Sequence, residues 1–218
     1  MKALRFKQIS DDTFIWIVKL RYPLETYNSV KLMDESQTPS EEQIGFVVST
    51  AFKIAVAAIF AALVAAATLL FVVPIPATSG YFNLGETLIY VAALLFGPLV
   101  GAIAGAGASI ADALVAIQYA PGTFTIKAIE GFLVGFLYKK ISRKTKSLTV
   151  SASIAIVIGG FEMVLGYFLY ETLVLGYPFA LAAVEVPFNI VQMLVGLIVA
   201  VPVMHAILRV SPQLKSSI

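Results

Sequence analysis

The chain has 218 residues, of which 59% are hydrophobic and 13% charged, against roughly 45–50% and about 25% in soluble globular domains. Charge is concentrated at one end: residues 1–43 hold 13 ionisable side chains (6 basic, 7 acidic), whereas residues 44–218 hold only 15 (9 basic, 6 acidic). So long a stretch with so few charges cannot cover a water-facing surface, which excludes a soluble enzyme or a disordered chain and predicts a polytopic membrane protein.

Residues 1–45 read as a hydrophilic cytoplasmic leader. Its apolar runs Ala3–Ile9 and Thr13–Leu20 flank Ser10-Asp11-Asp12 and fit a small hairpin; Phe14-Ile-Trp-Ile-Val18 fits a membrane-surface segment equally well. Residues 34–42 have the composition of a solvated linker. The leader lacks the apolar core and small-residue cleavage site of a signal peptide. Residues 46–210 form the membrane domain and 211–218 a short cytoplasmic tail.

A membrane helix needs about 20 apolar residues. The first span is Ile54–Val73, whose one polar side chain is Thr68. It ends in the loop Pro74-Ile-Pro-Ala-Thr-Ser-Gly80. Asn83 and Glu86, three apart, resemble a capping box at the next helix start, so Glu86 reads as a capping residue. The apolar stretch from there to about Ile117 is too long for one helix, and Gly97-Pro98 is the natural break, with Pro98 suited to a first turn. The second and third spans are consequently short. A fourth span runs over residues 124–138 and meets Lys139, Lys140, Arg143, Lys144 and Lys146. A fifth occupies 148–170. After Gly176 and Pro178 a sixth covers 184–208, bent or limited by Pro187 and Pro202. The expectation is an all-α integral membrane protein with six transmembrane helices.

Basic residues mark cytoplasmic loops. With both termini inside, the leader, the loop after the fourth span and the tail (Arg209, Lys215) hold nearly all of them, while Pro74–Phe82, Gln118–Thr123 and Glu171–Pro178 hold none. The predicted orientation is N-in, C-in.

The absence of Cys excludes disulfides, thiolate metal sites and Cys nucleophiles, and a lone His205, near the cytoplasmic end, excludes a multi-histidine metal centre. No cofactor is implied. There is no basic footprint for nucleic acid, no nucleotide-binding P-loop, and no HExxH or GxSxG motif.

Small residues recur at i, i+4: Ala57, Ala61, Ala65 and Ala58, Ala62, Ala66 in the first span; Gly97, Gly101, Gly105, Ser109 in the third; Gly131 and Gly135 in the fourth. Such ridges let helix backbones approach closely in lipid. The glycines fit internal packing; the two alanine rows fit either packing or a docking surface for another membrane protein. Ionisable groups within the bilayer usually face a cavity or a partner. Glu86, Asp112, Glu130, Glu162 and Glu185 fall in or beside spans, with Lys127 the one intramembrane cation. Lys127 and Glu130, three apart, can pair on one face, as a structural ion pair or a ligand contact. Asp112, one turn after Ser109, fits a bond to a neighbouring helix. Glu185, Asn189 and Gln192 recur at i, i+4 and i+7, so they form one polar stripe offering donors and acceptors, which suits a small heteroaromatic or hydroxylated molecule. Glu162, with Tyr167 and Tyr170, is placed to face it.

The segments Tyr81-Phe-Asn-Leu-Gly-Glu86, Ala92-Ala-Leu-Leu-Phe-Gly-Pro98, Gly101-Ala-Ile-Ala-Gly-Ala-Gly-Ala-Ser-Ile-Ala-Asp112, Tyr119-Ala-Pro and Ile126-Lys-Ala-Ile-Glu-Gly131 resemble the substrate-binding S components of energy-coupling factor (ECF) transporters, in particular the riboflavin and vitamin-precursor branch. The resemblance spans about residues 50–208 and leaves out 1–45; family members carry aspartate where Glu86 stands. It implies a prokaryotic plasma-membrane protein that captures a water-soluble vitamin or precursor, riboflavin-like, at the outer face. Pro74–Phe82 would lid the site, and Tyr81, Asn83, Lys127, Glu130, Glu162, Glu185, Asn189 and Gln192 would bind the ligand. The alanine rows would dock a transmembrane coupling subunit that sits on two cytoplasmic ATPases. The rival readings are a stand-alone proton-coupled carrier using Glu162 or Glu185, an intramembrane enzyme, and a scaffold.

Overall fold

The computed structural model describes residues 41–75, 77–78, 80–145, 147–212 and 214, with side chains from residue 50 onward. The expectations for residues 1–40, and for Lys146 and Lys215, lie outside the described residues. Among the described residues six helices follow in chain order: α1 (Glu41–Leu70), α2 (Gly85–Phe96), α3 (Pro98–Val115), α4 (Ala120–Ser142), α5 (Leu148–Leu173) and α6 (Phe179–Val210). Between α1 and α2 lies an antiparallel hairpin of two short strands, β1 (Val73–Pro74) and β2 (Tyr81–Phe82), pairing Val73 with Phe82 and Pro74 with Tyr81.

Residues 50–70 of α1, together with α3, α5 and α6, are long and apolar enough to cross a membrane. Helix α4 has 23 residues and carries Lys127, Glu130 and its terminal lysines. Helix α2, with 12 residues, reaches only about 18 Å at 1.5 Å per residue, too short to cross alone. Its brevity follows from Gly97, which ends α2 and precedes α3 with φ +88°, a left-handed conformation open mainly to glycine. Pro98 then occupies the first turn of α3. Helix α1 begins at Glu41, earlier than the predicted span, so the end of the expected linker is helical.

Helix α2 is buried along most of its length and packs against α3, α4 and α6, while α3–α4, α4–α5 and α5–α6 are also neighbours. The outer faces are apolar: Ile129, Phe132 and Phe136 on α4 and Ile154, Ile158, Phe161 and Leu165 on α5 are all exposed, as a lipid-facing surface requires and a soluble monomer would not present.

Glycine sets the tightest contact. A Cβ on Gly105 would strike the backbone carbonyl of Lys127, one on Gly101 the carbonyl of Gly131, and one on Gly135 the backbone of Gly97 and Pro98. Helices α3 and α4 thus meet backbone to backbone along the predicted ridges, which is how helices associate in lipid, where burying apolar surface gives no advantage. On the opposite face of α3, a Cβ on Gly107 would collide with the backbone of Ala61 of α1.

The two alanine rows separate here. Ala57 and Ala65 are buried and Ala61 packs on α3, so this row is consumed inside the chain; Ala58, Ala62 and Ala66 are exposed. The expectation that both rows form one outward docking surface is corrected for the first.

Gly105→Val is expected to lower the thermal midpoint of the purified protein by about 5–10 °C, following the cost of overpacking a tight contact. Ala62→Val, on the exposed row, is expected to leave it within about 2 °C; circular dichroism in detergent measures both.

Candidate ligand-binding site

The C-terminal ends of α3 and α5, the N-terminal ends of α4 and α6, and the β1–β2 hairpin come together at one end of the bundle. There Gly80, Tyr81, Asn83, Asp112, Tyr119, Tyr167, Glu171, Glu185, Asn189 and Gln192 line a cavity of about 40 Å³. That is room for a few waters, well below the roughly 300–1,000 Å³ of a small-molecule pocket, and the hairpin accounts for the closure. Thr78 donates its hydroxyl proton to Glu185 and accepts the Gly80 N–H at 3.1 Å. A side chain on Gly80 would overlap the Glu185 carboxyl group, so glycine lets the strand lie against α6. Further along, the Asn83 N–H donates to Gln192 Oε1 at 3.0 Å.

Beneath the cavity lies a buried ionic cluster. Lys127 of α4 pairs with Glu86 of α2 and, at 3.2 Å, with Glu130 one turn along its own helix. Tyr90 donates to Glu130 Oε1 at 2.8 Å, and Gln192 Nε2 donates to Glu86 Oε2 at 2.9 Å. Exposures of 3%, 1% and 0% for Lys127, Glu86 and Glu130 mean that no water screens these charges, so each is held by its partners or not at all.

This corrects the capping expectation. Asn83 Oδ1 does accept the Gly85 N–H at 2.9 Å, but Glu86 does not reach back to the Asn83 N–H, which Gln192 takes. Glu86 serves instead as the principal counter-ion of Lys127. The structure gathers the stripe residues Glu185, Asn189 and Gln192 around the cavity, together with Tyr81 and Asn83 from the hairpin side. It sets Lys127 and Glu130 in the cluster below, where the paired reading of those two residues holds. Glu162 is displaced: it lines a different, apolar groove on the side of the bundle, between α5 and α6, with Phe161, Leu165, Phe168, Phe179 and Pro187. Of the three α5 residues expected opposite the stripe, only Tyr167 lines the cavity; Tyr170 donates to the Gln118 carbonyl at 2.8 Å.

Three cavity residues, Asp112, Tyr119 and Glu171, fall outside the predicted site. Asp112 accepts hydroxyl protons from Tyr81 and Thr123, and Tyr167 in turn donates to Thr123 at 2.9 Å; this binds α3, α4, α5 and the hairpin together. Burial, then the adjacent Asp112 carboxylate, hold the Tyr81 hydroxyl far above its ordinary pKa, so it stays a donor. Tyr119 and Glu171 complete the wall. Glu171 escapes prediction because span five was drawn to Tyr170, one residue short; its spacing from Met163 and Tyr167, at i+8 and i+4, puts it on the inward face.

Apolar helices facing lipid around a polar cavity roofed by a hairpin define a multi-pass membrane protein. A family model described as "ECF-type riboflavin transporter, S component" matches residues 48–209, and the chain belongs to that family, whose members are membrane transport subunits of prokaryotic cells rather than enzymes. It is 38% identical over 133 residues to a Pyrococcus woesei protein described as "Uncharacterized protein in gap 3'region", covering 61% of this chain and 85% of the relative. A solved structure described as "Structure and mechanism of the S component of a bacterial ECF transporter" superposes with a TM-score of 0.60 at 18% identity, covering 73% of this chain and 97% of that one; the likeness is one of fold.

Lys127→Met strands two buried carboxyl groups and is expected to destabilise the protein by about 3–5 kcal/mol, read as a loss of monodisperse protein on heating. Adding Glu86→Gln is expected to recover part of that loss, a non-additive pair that a double-mutant cycle detects.

Proposed function

We propose that this chain is the substrate-binding subunit of an energy-coupling-factor importer, capturing a water-soluble vitamin or vitamin precursor from outside the cell. The family's name makes riboflavin the first candidate. In this reading the six helices form the membrane domain with both termini cytoplasmic. The end of the bundle that carries the cavity has no basic side chain among its described loops, while Lys139, Lys140, Arg143, Lys144 and Arg209 cluster at the other end, the asymmetry that marks the cytoplasmic side.

The observation that carries the proposal is the convergence of Glu185, Asn189, Tyr81 and Tyr167 into one polar cavity under a hairpin latched to α6 by two hydrogen bonds. Breaking the Thr78–Glu185 and Asn83–Gln192 contacts lifts the hairpin and enlarges the cavity to ligand size. The Lys127 cluster is the floor that holds α2, α4 and α6 in register during that movement. The exposed row Ala58, Ala62 and Ala66 is a flat strip on which a transmembrane coupling subunit docks, itself carried by two cytoplasmic ATPases. Energy for release then comes from those partners.

Purified protein is expected to bind one member of a panel of flavins, thiamine precursors, pyridoxine and biotin, measured by titration calorimetry and by mass spectrometry of co-purified ligand. Asn189→Leu is expected to weaken that binding at least tenfold. Uptake in cells that persists without any ATPase partner and collapses with the proton gradient would replace this reading with a proton-coupled carrier. Thr78→Val removes one latch while keeping the side chain's shape. It is expected to speed ligand dissociation by roughly ten- to a hundredfold, the worth of one hydrogen bond to a charged group, measured by stopped-flow fluorescence.

A further inference from the structure

Glu171 is fully buried near the end of α5, and neither of its carboxyl oxygens has a hydrogen-bond partner among the described residues. The hydroxyl of Tyr119, itself only 5% exposed, is equally unpartnered. Both residues line the cavity, alongside Glu185 and Asn189. Buried polar groups left without partners are rare, because each carries its full desolvation cost, and a buried carboxyl group is the most costly of them. Here they share one wall.

The lining is one-sided in charge. It contains three carboxyl groups (Asp112, Glu171 and Glu185) and no Lys, Arg or His. Asp112 is occupied by Tyr81 and Thr123, and Glu185 holds Thr78. The nearby cation, Lys127, is taken up by Glu86 and Glu130. The Tyr119 hydroxyl on the same wall is the described donor near Glu171, it forms no full hydrogen bond there, and a second carboxyl oxygen is left over; the missing complement is a donor or a positive charge. Tyr81, Tyr119 and Tyr167 line the same space, and the Tyr167 ring already stands 5.5 Å from the Lys127 ammonium group, a contact of the kind a cationic ligand can also make.

We infer that Glu171, Glu185 and the Tyr119 hydroxyl form a subsite for a positively charged, N–H-bearing nitrogen group of the ligand, so that the transported molecule is a small organic cation. This rests on the binding-subunit reading above and puts a cationic vitamin or precursor in place of riboflavin as the cargo. An isoalloxazine ring is neutral and offers this wall one imide N–H and the hydroxyl groups of its side chain; these can donate to Glu171 or Glu185 but bring no charge to set against two carboxyl groups. A protonated amine or amino-substituted cationic ring satisfies Glu171 and Glu185 together beside the tyrosines of the wall.

The test uses the purified full chain in nanodiscs, titrated with thiamine and pyridoxamine as cationic probes, riboflavin as a neutral one, biotin as an anionic one, and sodium and calcium chloride as inorganic cations. A cationic vitamin is expected to bind at least a hundredfold tighter than riboflavin or biotin. Glu171→Gln, which keeps side-chain volume, is expected to weaken that binding at least tenfold while the ligand-free protein melts at the same temperature or higher. Tyr119→Phe, a smaller change, is expected to weaken it three- to tenfold. Tight riboflavin or biotin binding unaffected by Glu171→Gln overturns the charge assignment and leaves the binding-subunit reading standing. Stabilisation by sodium or calcium that requires Glu171, without organic-cation binding, replaces the subsite with an inorganic-ion site. Absence of binding by every organic probe, together with absence of ATPase-dependent uptake, removes the binding-subunit reading and this inference with it.

Discussion

One buried ammonium group organises this protein. Lys127 projects from α4 into a region where neither water nor lipid headgroups reach it, and two carboxyl groups from different parts of the chain close around it. A charge in such a place is tolerated only when its partners are fixed, so the positions of α2 and α4 are set relative to one another through Glu86 and Glu130. Gln192 extends the constraint to α6, since it donates to Glu86 with its amide nitrogen and accepts from the Asn83 backbone with its oxygen. One side chain thereby couples the ionic floor to the hairpin that roofs the cavity.

The glycine contacts make that cluster possible. Gly105 sits where any side chain would strike the Lys127 carbonyl, so the close approach of α3 to α4 and the placement of the ammonium group are the same feature seen from two helices. Gly196 plays the matching part on α6, where a Cβ would stand 2.7 Å from the ring of Tyr90, the residue that donates to Glu130. Small residues and ionic residues are thus not separate themes in the sequence: the former set how near the helices come, and the latter fix which faces meet.

Much of this was legible in the residues alone. The break at Gly97-Pro98, the polar stripe of α6 and the Lys127–Glu130 pair all follow from local rules of spacing and backbone conformation, and these depend on one helix at a time. What escaped depends on two helices. Glu86 looks like a cap because Asn83 lies three residues before it, and only the third dimension shows Lys127 beside it. Glu162 and Glu171 are both carboxylates on α5, yet α5 turns one to a lipid-side groove and the other into the cavity. A helix boundary drawn one residue short was enough to hide the inward one. The alanine rows of α1 are likewise identical in composition, and Gly107 of α3 decides which is consumed.

The distribution of satisfied and unsatisfied groups separates structure from function within the site. Asp112 and Gln192 each hold partners on more than one element, and their loss would loosen the bundle. Glu171 and Tyr119, on the same wall, hold none among the described residues. Had selection acted on stability alone, an apolar pair of the same volume would serve better at those two positions, because no full hydrogen bond from the described residues offsets the desolvation of that carboxyl group. A buried group that weakens the resting protein has its compensation elsewhere, and under the subsite proposed above that compensation is the bound cargo. The cavity's small size bears on the same point: with the hairpin latched it has room for only a few waters around Glu171, and in the proposed reading lifting the roof brings this wall to the ligand.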